Sequence, residues 1–328
     1  MNHHFQSVIL NATQAKGLFE IETIQNLWSG YGKIVRYGLK DSAIKSVVVK
    51  HIHPPSRNNH PRGWNTDLSH QRKLKSYQVE TAWYKNWNKY CSDACKTPDC
   101  LAIESNNDEI IIVLQDLNQT GFPKLKTSAS LENMKTCLSW LANFHATFLS
   151  KQPLDLWTIG TYWHLDTRPE ELQCLKDNNL KNVAKLIDQT LQASPFQTIV
   201  HGDAKLANFC FSSDEKKVAA VDFQYVGGGC GMKDVAYFIG SCLDERECER
   251  LESSLLDFYF ETLTKAITKQ HKAIDISALE KDWRELYPVA WTDFHRFIKG
   301  WSPGHWKIHG YSEKLALKVI DQLKNTVK

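Results

Sequence analysis

The sequence predicts an α+β chain of two lobes, a small one built on an antiparallel sheet followed by a larger, mainly helical one. Three observations lead there. The β-branched run IKSVVVK, ending at Lys50, and the run EIIIVLQDL at 109–117 are short and rich in Val and Ile, as buried strands are. Beyond them, segments free of Gly and Pro repeat apolar residues at helical spacing. A length of 328 residues suits two lobes better than one small module. The expected division is residues 1–117 and 118–328, with a hinge at about 114–121.

Taken in order, ETIQNLWSGYGKIVRYGLK and IKSVVVK over 22–50 read as a small antiparallel sheet punctuated by Gly30, Gly32 and Gly38. HPPSRNNHPRGWNT at 53–66, with three prolines, reads as a long loop. From Ser69 to about Tyr90 the spacing of Leu74, Tyr77, Thr81 and Tyr84 predicts a helix. Residues 109–117 form a strand. Over 130–149, Leu131, Met134, Leu138, Leu141, Phe144, His145 and Phe148 share one helical stripe. There is no internal repeat and no low-complexity segment.

An apolar fraction of 42% and a mean hydropathy of −0.42 are those of a soluble globular chain. No apolar run approaches the roughly 20 residues that span a bilayer, and the start has no signal-peptide apolar region. The expectation is therefore a cytoplasmic chain that does not engage membranes. Nine cysteines at irregular spacing read as reduced thiols, and Cys91, Cys95 and Cys100 lack the paired knuckles of a zinc site. A net charge of +3 does not point to nucleic acid. Residues 51–75 do gather Lys, Arg and His, either as a lid over an anion or as a solvated face. Trp64 is the residue there that solvation does not explain. The sequence leaves the oligomeric state open.

The chemistry concentrates in TIVHGDAKLANFCFSSDEKKVAAVDFQY at 198–225. Two strand-like runs, Phe209 to Phe211 and Lys217 to Val221, flank a polar turn, so an antiparallel hairpin sets Asn208 and Asp222 side by side at one end. A carboxylate and a carboxamide oxygen, with positions left for water and phosphate, suit Mg²⁺ beside a nucleotide triphosphate. Asp203, on a tight turn, faces the same place as the natural base for an attacking hydroxyl. Lys205 supplies a cation for the transferred group. Either tripeptide alone, HGD or DFQ, reads better as a turn with a capping aspartate, and it is their joint spacing that favours the chemistry.

H-G-D-x-x-x-x-N, followed fourteen residues later by D-F-Q, resembles the aminoglycoside phosphotransferase and choline kinase superfamily, and within it the ecdysteroid kinase-like branch. The resemblance implies a bilobal protein-kinase-like fold and Mg²⁺-dependent transfer from ATP, with GTP also open, to a small-molecule alcohol. It implies a hinge in VLQDL, where the backbone of Gln115 and Leu117 meets adenine, and a long helix at LANFHA. It gives Asp234 of GMKDVAYFIG, with His201, the support of the catalytic loop, a plain helix cap being the alternative for Asp234. Lys50 resembles the strand lysine of the α- and β-phosphates. Glu80, thirty residues on, is its partner or a solvated surface residue. Gly30 and Gly32 cover the phosphates or merely close a hairpin.

Residues 283–311 are rich in aromatics. Tyr287, Trp291, Phe294 and Phe297 fit a core stripe, while Trp301 and Trp306 fall in GWSPGHWK, read as a loop, and are pocket candidates. Asp293, Arg296 and Trp301 are the substrate candidates. Aromatic faces with Asp293 would hold an amine, and a broad aromatic wall would hold a flat apolar alcohol. The function read here is a small-molecule kinase; a nucleotide-binding pseudokinase or scaffold is the alternative. A protein kinase is disfavoured, because HRD, DFG and APE are replaced.

Overall fold

The β-branched runs do form strands, because alternate residues find two different faces to bury. The computed structural model describes residues 2–54, 67–270 and 273–326. It begins with an unforeseen helix, α1 (His3–Thr13), capped by the Asn2 side chain. Five strands follow: β1 (Gly17–Asn26), β2 (Gly32–Lys40), β3 (Ser46–Ile52), β4 (Cys100–Asn106) and β5 (Glu109–Gln115). They make one antiparallel sheet in the order β1-β2-β3-β5-β4. In β3, Val47 and Val49 point to one face and join Phe5 and Ile9 of α1, Val35, Ile111 and Val113 in a small core. Val48 and Lys50 point to the other face, which walls a cavity. The register pairs Lys50 with Ile112 of β5, so a lysine is fixed in the middle of the sheet.

Between β3 and β4 runs α2 (Asp67–Ala82), continued by a wider π-type turn over Trp83–Trp87 and a 3₁₀ turn to Tyr90. The wider turn carries Trp83, fully buried, flat against Phe223 at 4.4 Å between ring centroids. Trp83 also meets Phe144 and Phe148 edge-on or tilted, which ties α2 to the helical part.

Beyond β5 the chain is mainly helical. The helices α3 (Leu131–Phe148), α4 (Pro169–Cys174) and α5 (Asn178–Gln192) come before the short strands β6 (Thr198–Val200), β7 (Phe209–Phe211), β8 (Val218–Ala220) and β9 (Gly227–Gly229). Then come α6 (Met232–Cys242), α7 (Glu245–Gln270), α8 (Ile276–Trp301) and α9 (Gly310–Thr326). Helix α3 starts on a Ser130 capping box and sends Leu138, Leu141 and Phe144 into the main core, the stripe that its sequence predicted. Strands β6 and β9 pair with each other, as do β7 and β8, and both pairs rest against this helical core. Among the described residues, no helix is long and apolar enough to cross a membrane.

The Trp83 stack joins the first part of the chain to the segment carrying Asp222. Replacing Trp83 by Ala leaves a large void among Phe144, Phe148 and Phe223, with an expected cost of about 3–5 kcal/mol. Urea unfolding followed by circular dichroism measures it. A loss below about 1 kcal/mol would mean that the stack is not a keystone.

Candidate functional site

The β7–β8 hairpin sets the geometry. Phe209 pairs with Ala220 and Phe211 with Val218, and the Val221 amide donates to the Asn208 carbonyl at 3.0 Å. Asn208 and Asp222 therefore flank one end of the hairpin. Asp222 sits at φ +69°, a left-handed conformation that a non-glycine residue holds only where its surroundings dictate it.

The loop between β6 and β7 is fixed from below by Asp234, in the first turn of α6. Its fully buried carboxylate accepts the backbone N–H groups of His201 at 2.6 Å and Gly202 at 2.9 Å, and a ring nitrogen of His145 at 3.1 Å. Gly202, at φ +79°, is required twice over, since a Cβ there would lie 2.1 Å from the Tyr225 carbonyl oxygen. His201 bridges the two motifs: Nε2 donates to the Val221 carbonyl at 3.1 Å, and Nδ1 accepts the Asp203 amide at 3.2 Å. Asp234 is thus a loop anchor, beyond a plain helix cap.

On this base Asp203 is buried and held by three donors. Oδ2 accepts from Lys205 Nζ at 2.9 Å and from Asn208 Nδ2 at 3.1 Å, and Oδ1 accepts from the Tyr237 hydroxyl at 3.1 Å. Asn208 Nδ2 also donates to the Asp203 carbonyl at 2.8 Å, which leaves the carboxamide oxygen for another partner. Burial alone would lower the Lys205 pKa, but Asp203 raises it above the ordinary lysine value. Tyr237, buried beside Tyr162 and Asp203, is pushed well above the usual phenol range and so stays a donor.

Facing these groups, Lys50 is buried and ion-paired to Glu80 of α2 at 2.6 Å and to Asp222 at 3.3 Å. Both carboxylates outweigh burial and raise its pKa. Burial pushes the Asp222 carboxyl up, yet Lys50, Lys205 and Lys73 together hold it well below the ordinary carboxylate range. With its charge secured, the Asp222 carboxylate and the Asn208 carboxamide oxygen form a hard-oxygen pair that fits a divalent ion completed by water and phosphate. Lys73 of α2, unsingled in the sequence, donates to Gln224 Oε1 at 2.9 Å and lies over the Tyr77 ring. Burial lowers its pKa to about 8.

Lys50, Lys73, Glu80, Asp203, Lys205, Asn208, Asp222 and Tyr237 border one cavity of about 920 Å³, walled by Val48, Ile34 and Leu114 of the sheet and reached by Gln115 and Leu117. Other expected residues lie elsewhere. Gly30 and Gly32 close the β1–β2 turn, and Trp28 and Ser29 of that turn line the cavity in their place. Gly32 answers to packing, since a Cβ at its φ of +129° would stand 2.0 Å from the His51 carbonyl oxygen. Asp293 and Arg296 are buried on α8, paired at 2.9 Å, with Asp293 accepting the Trp163 indole N–H at 3.0 Å, so neither reaches the cavity. Trp301 does line it, but as the last residue of α8 and not on a loop. Trp306 is exposed against His305. Of the basic stretch 51–75, His70, Arg72 and Lys73 line the cavity, while Trp64 and residues 55–66 lie outside the described residues.

In sequence, residues 45–153 and 158–272, more than half of the chain, match the profile of the ecdysteroid kinase-like family. The chain belongs to the ecdysteroid kinase-like family. A search of curated protein sequences finds no significant match. Among solved structures, an amicoumacin kinase in complex with AMP-PNP, Ca²⁺ and Ami aligns over 98% of this chain and 93% of its own, at 11% identity and a TM-score of 0.52. A Plasmodium vivax ethanolamine kinase aligns over 94% and 85%, at 12% identity and a TM-score of 0.50. The fold of this ecdysteroid kinase-like chain is therefore the bilobal kinase-like one.

Burial of Lys73 has a measurable consequence. With its pKa about 8 in the folded chain and 10.5 as the ordinary value, the unfolded chain binds more protons between the two. The stability this group confers therefore rises with pH across that window and is lost as pH falls toward 8. Lys73→Met should raise the unfolding midpoint at pH 7 and flatten that rise relative to the parent chain. Parallel pH profiles for the two proteins would contradict the burial argument.

Proposed function

We propose that this chain transfers the γ-phosphoryl group of ATP to a hydroxyl of a small organic alcohol, with Asp203 as the base. The observation that carries this reading is the convergence on one cavity of the Lys50–Glu80–Asp222 ion-pair network and the Asp203–Lys205–Asn208 cluster. In this reading the two lobes meet at 114–121, and the backbone of Gln115 and Leu117 receives the adenine. GTP fits a backbone-read hinge as well.

In the proposed reaction Lys50, held straight by Glu80, binds α- and β-phosphate oxygens. Asp222 and the Asn208 oxygen would hold Mg²⁺, which supplies charge neutralisation between the phosphates. Asp203 orients the acceptor hydroxyl and takes its proton as the new P–O bond forms and the bond to the β-phosphate oxygen breaks, releasing ADP. Lys205, beside Asp203, offsets negative charge on the group in transit. Tyr237 and Asn208 fix the two carboxylate oxygens, so the base meets the hydroxyl in one orientation.

Two of the solved neighbours, an amicoumacin kinase and an ethanolamine kinase, support a small-molecule acceptor. The amine-holding role foreseen for Asp293 has no support in the geometry, because that carboxylate is spent on Arg296 and Trp163. An aromatic wall of Tyr162, Tyr225, Tyr237 and Trp301 remains for a flat acceptor.

Mg²⁺ with ATP should raise the melting temperature, since a ligand of the folded state stabilises it by mass action. No shift with either ATP or GTP would sink the reading. Asp203→Asn should keep nucleotide affinity and lower ATP consumption, in a panel of alcohols, by about 10²- to 10⁴-fold. Asp222→Ala should instead abolish the metal dependence of nucleotide binding, measured by titration calorimetry with and without Mg²⁺. Normal turnover by Asp203→Asn would remove Asp203 as the base.

A further inference from the structure

The wall of the cavity beside Asp203 is aromatic and positively charged. Tyr162, Tyr225 and Tyr237 stand there with Arg72 of α2 and Arg168, just ahead of α4. The carboxylates that line the rest of the cavity are already committed: Glu80 and Asp222 to Lys50, and Glu22 and Asp116 to Arg36. Among the described residues, none besides Asp203 remains on the acceptor side to receive an ammonium group.

Arg72 is more than nine-tenths buried, yet its hydrogen-bond partners are neutral. Nη1 donates to the Thr167 carbonyl at 2.9 Å and Nη2 to the Ser69 hydroxyl at 2.8 Å. Among the described residues no carboxylate lies within salt-bridge distance of it. A buried guanidinium without a carboxylate partner is costly, and an incoming anion would offset that cost. Burial and the neighbouring Arg168 press its pKa down, and Tyr225, Glu171 and Glu170 offset this only in part, so the two like charges are close enough to feel each other. Arg168 is braced from behind, with Nη1 on Glu171 at 3.1 Å and Nε on the Tyr162 carbonyl at 3.1 Å. It lies over the Phe297 ring, which stacks on Trp301. Glu171 itself does not line the cavity, so the wall presents the cationic side.

A chain of contacts connects this pair to the base. The Arg168 Nε–Tyr162 carbonyl bond leads to the Tyr162 hydroxyl, which donates to Tyr237 at 3.3 Å, and Tyr237 donates to Asp203. A flat molecule lying along Tyr162 would therefore have one end at Asp203 and the other at the arginines.

Resting on the kinase reading above, we propose that Arg72 and Arg168 form an oxyanion subsite for the acceptor, so that the preferred acceptor is a flat alcohol carrying a carboxylate-type group and not an amine. Planar guanidinium groups match a carboxylate with paired, charge-assisted hydrogen bonds. The other source of an oxyanion here is the nucleotide's own phosphates, and the experiment separates the two.

Three probes share one ring system: 6-(hydroxymethyl)-2-naphthoate, 2-naphthalenemethanol and 6-(aminomethyl)-2-naphthalenemethanol. Binding of each to the full chain loaded with Mg²⁺ and AMP-PNP is measured by calorimetry. The naphthoate should bind about tenfold or more tightly than either other probe. Arg168→Gln should erase that preference while AMP-PNP affinity stays within about twofold, and Arg72→Gln should do the same wherever it folds. Equal or tighter binding of the neutral or amine probe, or no saturable binding of the naphthoate, overturns the subsite. So does a preference that survives Arg168→Gln. If Arg168→Gln weakens AMP-PNP instead, the arginines serve the nucleotide and the proposal is wrong. A chain that takes up AMP-PNP with Mg²⁺ but shows no naphthoate preference loses only the subsite, whereas one that takes up no nucleotide loses the kinase reading with it.

Discussion

The carboxylate of Asp234 is the constraint on which the site depends. It is fully buried and holds two consecutive backbone N–H groups, those of His201 and Gly202, while His145 holds it from the other side. Such a group is costly to bury and costlier to remove, because deletion strands both amides without water. The loop it pins carries Asp203 one residue later, and the His201 ring carries the same order across to Val221, beside Asp222. Two motifs twenty residues apart in sequence are thereby held as one rigid object.

The sheet reaches that object through two contacts of different kinds. One is electrostatic: Lys50, fixed by the β3–β5 register, meets Asp222 directly and Glu80 on α2. The other is apolar: Trp83, one turn past Glu80, lies flat on Phe223, the residue after Asp222. A buried ion pair alone is weak evidence for stability, since desolvation offsets much of its attraction. The aromatic stack supplies burial without that cost. Geometry at Asp222 is thus set by packing, and the ion pairs refine it.

How much of this the sequence disclosed depends on how local each determinant is. The grouping of Asn208 and Asp222 was legible because two strand-like runs and a turn dictate which ends of a hairpin meet. The strand of Lys50 was legible from VVVK, and the kinase-like fold followed from the motif resemblance. Helix α1 was missed because its apolar face, Phe5, Val8 and Ile9, spans little more than one turn, too short a run for a periodic signal. Asp293 and Arg296 misled because three-residue spacing on a helix can pair them with each other, and Trp163, 130 residues away, takes the carboxylate. Trp301 read as a loop residue because Gly300 precedes it, yet that glycine is there for close packing, as a Cβ would lie 2.1 Å from the Glu171 carbonyl oxygen. Tyr162, Arg72 and Arg168 are brought to the cavity only by tertiary packing, which no single segment encodes.

The chain compensates its own charges, and on the proposed kinase reading this shapes how a nucleotide would enter. Lys50 already serves two carboxylates, and Asp203 is already met by an ammonium, an amide and a hydroxyl. A phosphate oxygen approaching Lys50 competes with Asp222 for one ammonium, and what it displaces is a carboxylate held ionised by its neighbours. On that reading entry is an exchange of partners within a preformed frame, and the added negative charge has to be met by Lys73, Lys205 and a divalent ion as well as by Lys50. Those cations would offset the desolvation cost of bringing a polyanion into a walled cavity.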